Sequence, residues 1–369
     1  MMEKKSKNIR IVIGGGGTGG HVFPAIAIAN ELKKRDKDIQ ILFVGARGRI
    51  EMTRVPESGY EIRGLPVYGF KRKLTFENIK VLIGLVKSMQ LAKKIIKEFK
   101  PDVAVGVGGY ASGPVLRIAG RRGIPTLLQE QNSYAGITNK ILAKKASKIC
   151  VAYDHMEKYF PAEKIILTGN PVRSFALSED IKREAKTHFS IHSDNPVLLI
   201  LGGSLGARSI NNCLKNGLDR LGNENIEIIW QTGKIYYDEM KAAWENNKYE
   251  NIKVLDFISR MDLAYNIGNV IISRAGASTI SEICILGKPT ILVPSPNVAE
   301  DHQTKNAMAL VNKEAAKMVA DKDQEKNLIT EALELLKDKK EQQKISVNCK
   351  KMALPNAAHD IVNEILKLV

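Results

Sequence analysis

Glycine-rich segments that follow apolar runs are the first parts of this chain suited to chemistry. Residues 14–20 read GGGGTGG directly after IRIVI, and residues 202–207 read GGSLGA directly after VLLIL. Glycine lets main-chain N–H groups approach a ligand closely, and a helix that begins just beyond the loop points its positive end at the same place. Both loops are therefore expected to bind phosphate, and Ser204 is a candidate donor to that phosphate.

The first glycine loop also has the spacing of a dinucleotide-binding site. Gly15, Gly17 and Gly20 satisfy GxGxxG, which on its own is a weak signal. Dinucleotide-binding enzymes hold the ribose with an acidic residue at the end of the second strand, whereas here that strand is followed by Arg47. An arginine suits a 2′-phosphate, so an NADP-dependent oxidoreductase stays open as an alternative. A P-loop ATPase is excluded because GxxxxGK[ST] does not occur.

Two later segments carry groups suited to a nucleotide sugar. Residues 273–282, SRAGASTISE, combine small residues at a helix start with Glu282, which can accept hydrogen bonds from both ribose hydroxyls. Residues 299–307, AEDHQTKNA, offer amide and hydroxyl groups for an uncharged sugar, with Gln303 and Thr304 as the expected contacts. The structural alternatives are a helix-start acid and a helix N-cap cluster.

Two pairs of aspartates could in principle hold a divalent metal. DxD occurs at Asp36/Asp38 and at Asp321/Asp323, and both pairs lie among lysines. We interpret both as solvated surface turns, so no metal and no cofactor is expected. Helix N-termini and main-chain donors must then stabilise a leaving diphosphate.

The elements that position these residues alternate between short β-branched runs and amphipathic segments, which is typical of βαβ units and a parallel sheet. With 369 residues, the chain is long enough for two such domains, and the boundary is expected near residues 169–178. The predicted strands are Ile9–Ile13, Ile39–Val44, Val103–Val107, Thr126–Gln129, Lys148–Val151, Val197–Leu201, Ile226–Gln231, Lys253–Asp256, Val270–Ser273 and Thr290–Val293.

The net charge of +16 lies entirely in the first half of the chain. Residues 1–170 hold 30 Lys+Arg against 14 Asp+Glu, and residues 171–369 hold 26 of each. This asymmetry favours an anionic partner for the first half: nucleic acid, anionic lipid or a phosphorylated substrate. The four cysteines lack metal-site spacing, and no stretch is long and apolar enough to span a bilayer, so we expect a cytoplasmic protein with reduced thiols.

Seven segments occur in the order found in the MurG family of UDP-N-acetylglucosamine:N-acetylmuramyl-(pentapeptide) pyrophosphoryl-undecaprenol N-acetylglucosamine transferases, and the chain resembles that family from about residue 10 to its end. The segments are GGGGTGGHVFPAIAIANEL, GGYASGP, QEQNSYAGITNK, GNPVR, GGSLGA, SRAGASTISE and EDHQTKNA. The resemblance implies an α/β fold of the GT-B type, with two Rossmann-like doubly wound parallel-sheet domains facing across a cleft. It implies an acceptor and membrane-associating domain at 1–170, rejoined by a C-terminal helix at 356–369, and a donor domain at 171–355.

The resemblance also implies the binding residues, by matching motif. UDP-N-acetylglucosamine would contact uracil through the main chain of Ile258 and ribose through Glu282. The other implied donor-binding residues are Thr18, Gly19, Gly20, Asn132, Arg173, Ser204, Ala277, Ser278, Thr279, Gln303 and Thr304. A second glutamine often stands in the family where this chain has Thr304, so the sugar contacts depart from the family pattern there.

An inverting displacement is the mechanism that the resemblance implies, and His21 is the candidate general base because it opens the helix after the first glycine loop. A histidine that merely orients the loop is the alternative. The acceptor would resemble lipid I, an undecaprenyl-pyrophosphoryl muramyl-pentapeptide, and its diphosphate needs a cradle of main-chain donors. The implied acceptor-binding residues are Gly14, Gly15, Gly16, Gly17, Gly108, Gly109, Tyr110 and Ser112.

Attachment to the cytoplasmic face of the cell membrane would explain the positive charge of the first half. Cations at Lys71–Lys73, Lys87, Lys93 and Lys94 accompany an apolar series at helical spacing, which suits binding to anionic inner-leaflet lipids. That series consists of Phe76, Ile79, Leu82, Ile83 and Val86, although each residue could equally be core. Other cell-wall synthesis proteins are further candidate partners.

Besides the NADP-dependent oxidoreductase, two competing functions remain at this stage. A basic nucleic-acid-binding protein is disfavoured because the aromatic content is 6% and no nucleic-acid motif is present. A transferase of the same fold that acts on another lipid or natural product is the nearer alternative, and GGYASGP and QEQNSYAG favour the peptidoglycan acceptor.

Overall fold

Two parallel β-sheets, each in its own structural unit, organise the chain. The computed structural model describes residues 8–67, 77–173, 175–203, 205–247 and 249–369. The first unit comprises Met1–Arg173 and Leu354–Val369, and the second comprises Ser174–Ala353.

The sheet of the first unit has seven parallel strands in the order β3-β2-β1-β4-β5-β6-β7. Its strands are β1 (Arg10–Gly14), β2 (Gln40–Ala46), β3 (Glu61–Leu65), β4 (Val103–Gly106), β5 (Thr126–Glu130), β6 (Lys148–Val151) and β7 (Ile165–Leu167). The direction of winding reverses between β1 and β4. In such sheets ligands bind beyond the carboxyl ends of the strands at that reversal, which is where the first glycine loop lies.

Helices cover both faces of this sheet, as the apolar character of its strands requires. They are α1 (Gly19–Arg35), α2 (Glu51–Glu57), α3 (Glu77–Phe99), α4 (Ser112–Arg121), α5 (Ile137–Ala143) and, at the end of the chain, α15 (Ala357–Leu366). Successive residues of a strand point to opposite faces. Ile11 and Ile13 accordingly pack in a cluster with α1 and α15, whereas Val12 packs in a cluster with α3, α4 and α5.

The C-terminal helix completes the core of the first unit. Ile361, Val362 and Ile365 are fully buried in the cluster that contains α1 and the strands. On the surface, Arg35 of α1 donates to Asn363 at 3.1 Å. The first unit is therefore built from two segments of sequence separated by the whole of the second unit.

The second unit repeats the same topology with six parallel strands in the order β10-β9-β8-β11-β12-β13. Its strands are β8 (Val197–Leu201), β9 (Glu227–Gln231), β10 (Ile252–Leu255), β11 (Val270–Ser273), β12 (Thr290–Leu292) and β13 (Lys317–Met318). Its helices are α6 (Glu179–His188), α7 (Arg208–Asn216), α8 (Leu218–Gly222), α9 (Tyr237–Glu245), α10 (Met261–Ile267), α11 (Ala277–Leu286), α12 (His302–Val311), α13 (Gln324–Lys337) and α14 (Lys339–Lys351). The reversal lies between β8 and β11, so the loops GGSLGA and SRAG meet at the equivalent place.

All ten predicted strands are present, with ends within two residues of the prediction. Three further strands, β3, β7 and β13, were not predicted. β3 and β7 are edge strands that are only partly buried, β3 has no continuous apolar run, and β7 and β13 are too short, at three and two residues, for a strand to be predicted from the sequence.

The cysteines are reduced and buried, as predicted. Burial raises the pKa of the Cys150 thiol to about 12 and that of Cys213 to about 11, so neither is a thiolate at neutral pH. Among the described residues, no helix is long and apolar enough to cross a membrane.

Gly169 marks the contact between the two segments of the first unit, and replacing it should destabilise that unit. Its φ is +88°, and an added Cβ would lie 2.5 Å from Cβ of Leu354. Gly169→Ala should therefore lower the free energy of unfolding by about 2–3 kcal/mol, measured by denaturant titration.

Gly120→Ala is the matched control. Gly120 lies in α4, where an added Cβ would meet no atom within 4 Å and φ is not positive. This variant should raise the free energy of unfolding by up to about 1 kcal/mol. Equal losses in the two variants would contradict the assignment of Gly169 to a sterically closed contact.

Candidate functional site

The glycine loop after β1 uses its own N–H groups to hold its shape. The N–H of Gly15 donates to the Val44 carbonyl at 3.1 Å, and that of Gly16 donates to the Gly108 carbonyl at 3.3 Å. The N–H of Gly17 donates to Oε2 of Glu51 at 2.8 Å. Residues 15–17 thus form the loop, but their donors are already engaged.

Glu51, which the sequence analysis did not single out, is the carboxylate that fixes this loop. It is 1% exposed, and its Oε1 accepts from the N–H of Ala46 at 2.8 Å while Oε2 accepts from Gly17. A Cβ on Gly16 would lie 2.2 Å from Oε1, so glycine is required at that position. The sequence did contain one indication of this role, because Glu51 is an acidic residue in the first turn of α2. Such a residue is ordinarily explained by its favourable interaction with the helix dipole alone.

The donors that remain for a ligand lie at the start of α1. Thr18 is the N-cap residue and its side chain makes no capping bond, as in most described helices, of which α6 (Ser178) and α14 (Asp338) are the exceptions. The first N–H groups of any helix have no acceptor within it, so those of Gly19 and Gly20 point outward from the loop. An anion at this site would therefore be held by Thr18–Gly20 rather than by the N–H groups of the predicted Gly15–Gly17.

The second loop of the first unit, Gly108–Ser112, packs directly on the first. An added Cβ on Gly109, whose φ is +80°, would lie 2.2 Å from the Gly16 carbonyl oxygen. Ser112 is fully buried and donates to the Gly109 carbonyl at 2.9 Å, so it supports the loop instead of facing solvent. Tyr110 is exposed. Of these predicted acceptor residues, Tyr110 is the one whose side chain is open to a ligand.

His21 lies in the first turn of α1, partly exposed, and is held by the loop after β5. Its Nδ1 lies 2.9 Å from Oε1 of Gln131. An added Cβ on Gly108 would lie 2.9 Å from Cε1 of the imidazole, so Gly108 makes room for the ring. The structure thus brings His21 together with both predicted glycine loops.

The loop after β5 is organised by a second buried carboxylate, Glu130. Its oxygens accept from the N–H of Asn132 at 3.1 Å, the N–H of Gly136 at 3.0 Å and Nδ2 of Asn139 at 2.9 Å. Asn132, a predicted sugar contact, is partly exposed beside these bonds. The motif QEQN was recognised from sequence, but the separate tasks of its residues were not.

In the second unit, Gln231 connects the glycine loop at residues 202–207 with the segment predicted to bind uracil. Its Oε1 accepts from the N–H of Ile258 at 2.9 Å, and its Nε2 donates to the Gly203 carbonyl at 3.1 Å. The N–H of Ile258 is therefore engaged, so a base would have to use its carbonyl. Ser204, predicted to contact the diphosphate, lies outside the described residues.

Glu282, the predicted ribose ligand, lies one turn into α11. It accepts from the hydroxyl of Tyr265 at 2.9 Å, and Tyr265 is fully buried, so the carboxylate has a fixed position. The N-cap of α11 is Gly276 and has no side-chain cap. The N–H groups of Ala277, Ser278 and Thr279 therefore form the first turn of an uncapped helix, which suits a diphosphate.

The segment predicted to bind the sugar is strained and internally bonded. Glu300 and Asp301 have φ of 56° and 52°, which are left-handed values that cost energy in non-glycine residues. Gln303 Oε1 accepts from the N–H of Ser295 at 2.8 Å, which leaves its NH₂ group for a ligand. Thr304 donates to Asp301 at 2.6 Å, so its hydroxyl is engaged within the loop. Arg173 is exposed at the end of the first unit.

The interpretation of Asp321 as part of a solvated turn was wrong. Oδ1 of Asp321 pairs with Arg274 at 2.5 Å and accepts from the Ser209 hydroxyl at 2.7 Å. Arg274 also donates to the carbonyls of Val293 and Pro294. The ion pair thereby ties together the starts of α7 and α11 and the end of β12, which carry the three donor-type segments. In the other pair, Asp36 and Asp38 do form an exposed turn.

Among the described residues, no group of three or more His, Cys, Asp or Glu side chains is placed to hold a metal ion.

Comparison with known proteins identifies the class. The Glycosyltransferase family 28 N-terminal domain matches residues 11–151, and the Glycosyltransferase family 28 C-terminal domain matches residues 197–361. The fold resembles the crystal structure of Acinetobacter baumannii MurG, with a TM-score of 0.77 and 29% identity over 97% of this chain and 99% of that one. The protein is a glycosyltransferase with two Rossmann-like parallel-sheet domains of the GT-B type, which confirms the predicted fold class.

Two relatives narrow the class to one family. The UDP-N-acetylglucosamine--N-acetylmuramyl-(pentapeptide) pyrophosphoryl-undecaprenol N-acetylglucosamine transferase of Parabacteroides distasonis is 55% identical, over 98% of this chain and 99% of the relative. The transferase of the same name from Phocaeicola vulgatus is 56% identical, over 98% of this chain and 97% of the relative. The chain belongs to this transferase family.

Removing the carboxylate of Asp321 should destabilise the second unit. Asp321→Ala leaves the Arg274 guanidinium, whose side chain is 16% exposed, with its hydroxyl and carbonyl partners but no counter-charge. The free energy of unfolding should fall by about 2–3 kcal/mol, measured by denaturant titration. Asp323→Ala, at the exposed aspartate of the same DxD pair, should change it by less than about 0.5 kcal/mol. Similar small effects of both substitutions would restore the solvated-turn interpretation.

Proposed function

We propose that this enzyme transfers N-acetylglucosamine from UDP-N-acetylglucosamine to the muramyl sugar of undecaprenyl-pyrophosphoryl muramyl-pentapeptide, lipid I. The observation that carries the proposal is the sequence identity with transferases whose names state this donor and this acceptor. More than half of the aligned residues are identical, over nearly the full length of this chain and of each relative. An oxidoreductase is disfavoured because the family is one of glycosyltransferases.

The geometry of the second unit supports its role in donor binding. The carbonyl of Ile258 binds uracil, and Glu282, positioned by Tyr265, accepts from the ribose hydroxyls. The first turn of α11 and the loop GGSLGA, with Ser204 and Arg173, stabilise the diphosphate. The NH₂ group of Gln303 contacts the sugar. Thr304 contributes by holding Asp301 in its strained conformation.

The geometry of the first unit supports its role in acceptor binding. The first turn of α1 supplies N–H donors for the acceptor diphosphate, on a loop that Gly14–Gly17 shape and Gly108–Ser112 support. Asn132 and Thr18–Gly20 also reach the transferred sugar. Glu51 holds the loop open for these contacts.

The reaction is a single displacement with inversion at the anomeric carbon. The acceptor hydroxyl oxygen forms the new bond to that carbon as the bond to the β-phosphate oxygen of UDP breaks, and the electron pair leaves with UDP. His21 takes the hydroxyl proton. Helix starts and main-chain donors stabilise the charge that develops on the diphosphate, without a metal ion.

The transfer assay tests this function directly. Incubated with labelled UDP-N-acetylglucosamine, a lipid I analogue and a chelator, the full-length enzyme should release UDP and form a disaccharide-linked lipid. Glu282→Gln, which removes the charge that binds ribose, should raise KM for the nucleotide sugar roughly tenfold. Absence of transfer would refute the proposed function, and transfer that requires added divalent metal would refute its metal independence.

The basic charge of the first unit is concentrated on one layer of helices, which supports peripheral attachment to the cytoplasmic face of the membrane. Helices α3, α4 and α5 lie side by side, and α4 and α5 carry no acidic residue. Exposed cations on or just beyond these helices are Lys87, Lys93, Lys94, Lys97, Lys100, Arg117, Arg121, Arg122, Lys144 and Lys145. The layer formed by α1 and α15 instead mixes both signs.

Apolar side chains accompany those cations. Ile83 and Val86 of α3 are 52% and 59% exposed, and Ile137 and Ile141 of α5 are 62% and 65% exposed. Lys71–Lys73 and Phe76 lie outside the described residues, as do the side chains of Ile79 and Leu82. Exposed apolar groups beside cations are suited to an anionic lipid surface, which they enter without spanning it.

Flotation with liposomes tests the attachment. Binding should increase with anionic lipid content and fall with added salt, because lysine charges near an anionic surface contribute about 1 kcal/mol each. The double variant Lys93→Glu and Lys94→Glu on α3 should reduce binding at least tenfold or so, whereas Lys33→Glu and Lys34→Glu on α1 should reduce it much less. Equal effects of the two pairs would argue against a specific membrane-facing layer.

A further inference from the structure

We propose that Gln131 is a positioning residue for His21: it places the ring proton on Nδ1 and so presents the lone pair of Nε2 to the acceptor hydroxyl. This inference rests on the proposed function, in which His21 is the general base. It concerns a residue that the sequence analysis did not single out. The contact that carries it is the 2.9 Å separation between Nδ1 of His21 and Oε1 of Gln131.

The orientation of the Gln131 amide is determined by main-chain acceptors. One end of the amide lies 2.8 Å from the Val107 carbonyl and 3.3 Å from the Gln129 carbonyl. A main-chain carbonyl can only accept, so the group facing these two carbonyls must be the NH₂. The group that faces His21 must then be the oxygen.

A second pair of amides fixes the same orientation independently. Nδ2 of Asn170 donates to the Gln131 main-chain carbonyl at 3.0 Å, which directs Oδ1 of Asn170 to Nε2 of Gln129, also at 3.0 Å. The side-chain oxygen of Gln129 therefore faces the NH₂ of Gln131, with which it forms a short hydrogen bond. Hydrogen bonds therefore run in one consistent direction along the chain His21–Gln131–Gln129–Asn170, and main-chain carbonyls that accept from the NH₂ groups of Gln131 and Asn170 fix that direction.

The direction of this chain selects the tautomer of His21. An oxygen of an amide can only accept, so Nδ1 of the neutral imidazole must carry the hydrogen, and Nε2 then holds the lone pair. All three amide residues are buried, Gln131 being 1% exposed, so water does not compete for these bonds. A buried group that orients the base in this way has the role that an aspartate has in a Ser-His-Asp triad.

The neutrality of the amide matters as much as its direction. A carboxylate at position 131 would stabilise the imidazolium, which cannot accept a proton, whereas an amide orients the ring without a charge. Among the described residues, the carboxylates on the loops beside His21 include Glu51, behind the glycine loop, and Glu130, before Gln131. Both are engaged by main-chain N–H groups. An amide at position 131 therefore orients the ring without favouring the protonated form.

A double-mutant cycle separates positioning from structural support. The variants are His21→Ala, Gln131→Leu and the double variant, each assayed for transfer to the lipid I analogue. Gln131→Leu should lower kcat between about tenfold and a hundredfold, with KM for the nucleotide sugar within about twofold of wild type. In the His21→Ala background the same substitution should cause no further loss, because its effect passes through His21. Losses that multiply would overturn the proposal.

Gln342→Leu is the matched control for loss of a buried glutamine. Gln342 lies in the second unit and likewise donates to two main-chain carbonyls, Leu335 at 2.7 Å and Leu336 at 2.9 Å. It should lower the free energy of unfolding without lowering kcat. An equal loss of kcat in this control would assign the Gln131 effect to stability and overturn the proposal.

The Gln131→Glu variant provides a readout that a structural role would not change. The acidic limb of the pH profile of kcat/KM should move to higher pH by about one unit, because the carboxylate favours the imidazolium. Turnover on the alkaline side should recover relative to Gln131→Leu, because an acceptor oxygen is again present at position 131. An unchanged acidic limb would count against the contact.

The tautomer can also be observed without turnover, which distinguishes this inference from the proposed function. In protein labelled with ¹⁵N-histidine, the resonances absent from His21→Ala identify His21 among the six histidines. At a pH of about 8, wild type should show hydrogen on Nδ1, and Gln131→Leu should lose that preference. Hydrogen on Nε2 in wild type would overturn the inference, even with active enzyme. Absence of transfer by wild type would instead refute the proposed function.

Discussion

Main-chain N–H groups at the starts of helices α1 and α11 are the constraint on which both candidate sites depend. Each helix begins at the reversal point of its sheet, and neither has a side-chain cap, which is also true of most other described helices. Uncapped donors in a polar loop attract anions, and two such places suit an enzyme whose two substrates both carry diphosphates. The rest of each loop keeps those donors exposed in a fixed direction.

Carboxylates, amides and one ion pair hold these loops in place. Glu51 and Glu130 occupy the loop N–H groups in the first unit, whereas Gln231 and the pair Arg274–Asp321 connect the loops of the second. Each supporting group is buried or nearly so, and its partners are mostly main-chain atoms. The same topology thus occurs twice with different chemistry beneath the loops.

Sequence predicted the strands and the loops well because both depend on local pattern. Apolar runs and glycine clusters are visible within ten residues, which is why all ten predicted strands are present. The supporting residues were missed because their partners are distant in sequence: Glu51 is 34 residues from Gly17, and His21 is 110 from Gln131. Asp321 was misread for the same reason, since its neighbours in sequence are lysines while Arg274 is 47 residues away.

The return of the C-terminal helix to the first unit has a consequence for synthesis on the ribosome. The first unit needs Ile361, Val362 and Ile365 to fill its core, and these residues are translated after the whole of the second unit. The second unit is contiguous, so its core is complete as soon as Ala353 has emerged. During synthesis the second unit can therefore finish folding before the first. Until the C-terminal helix emerges, the first unit exposes the apolar surface that this helix later covers.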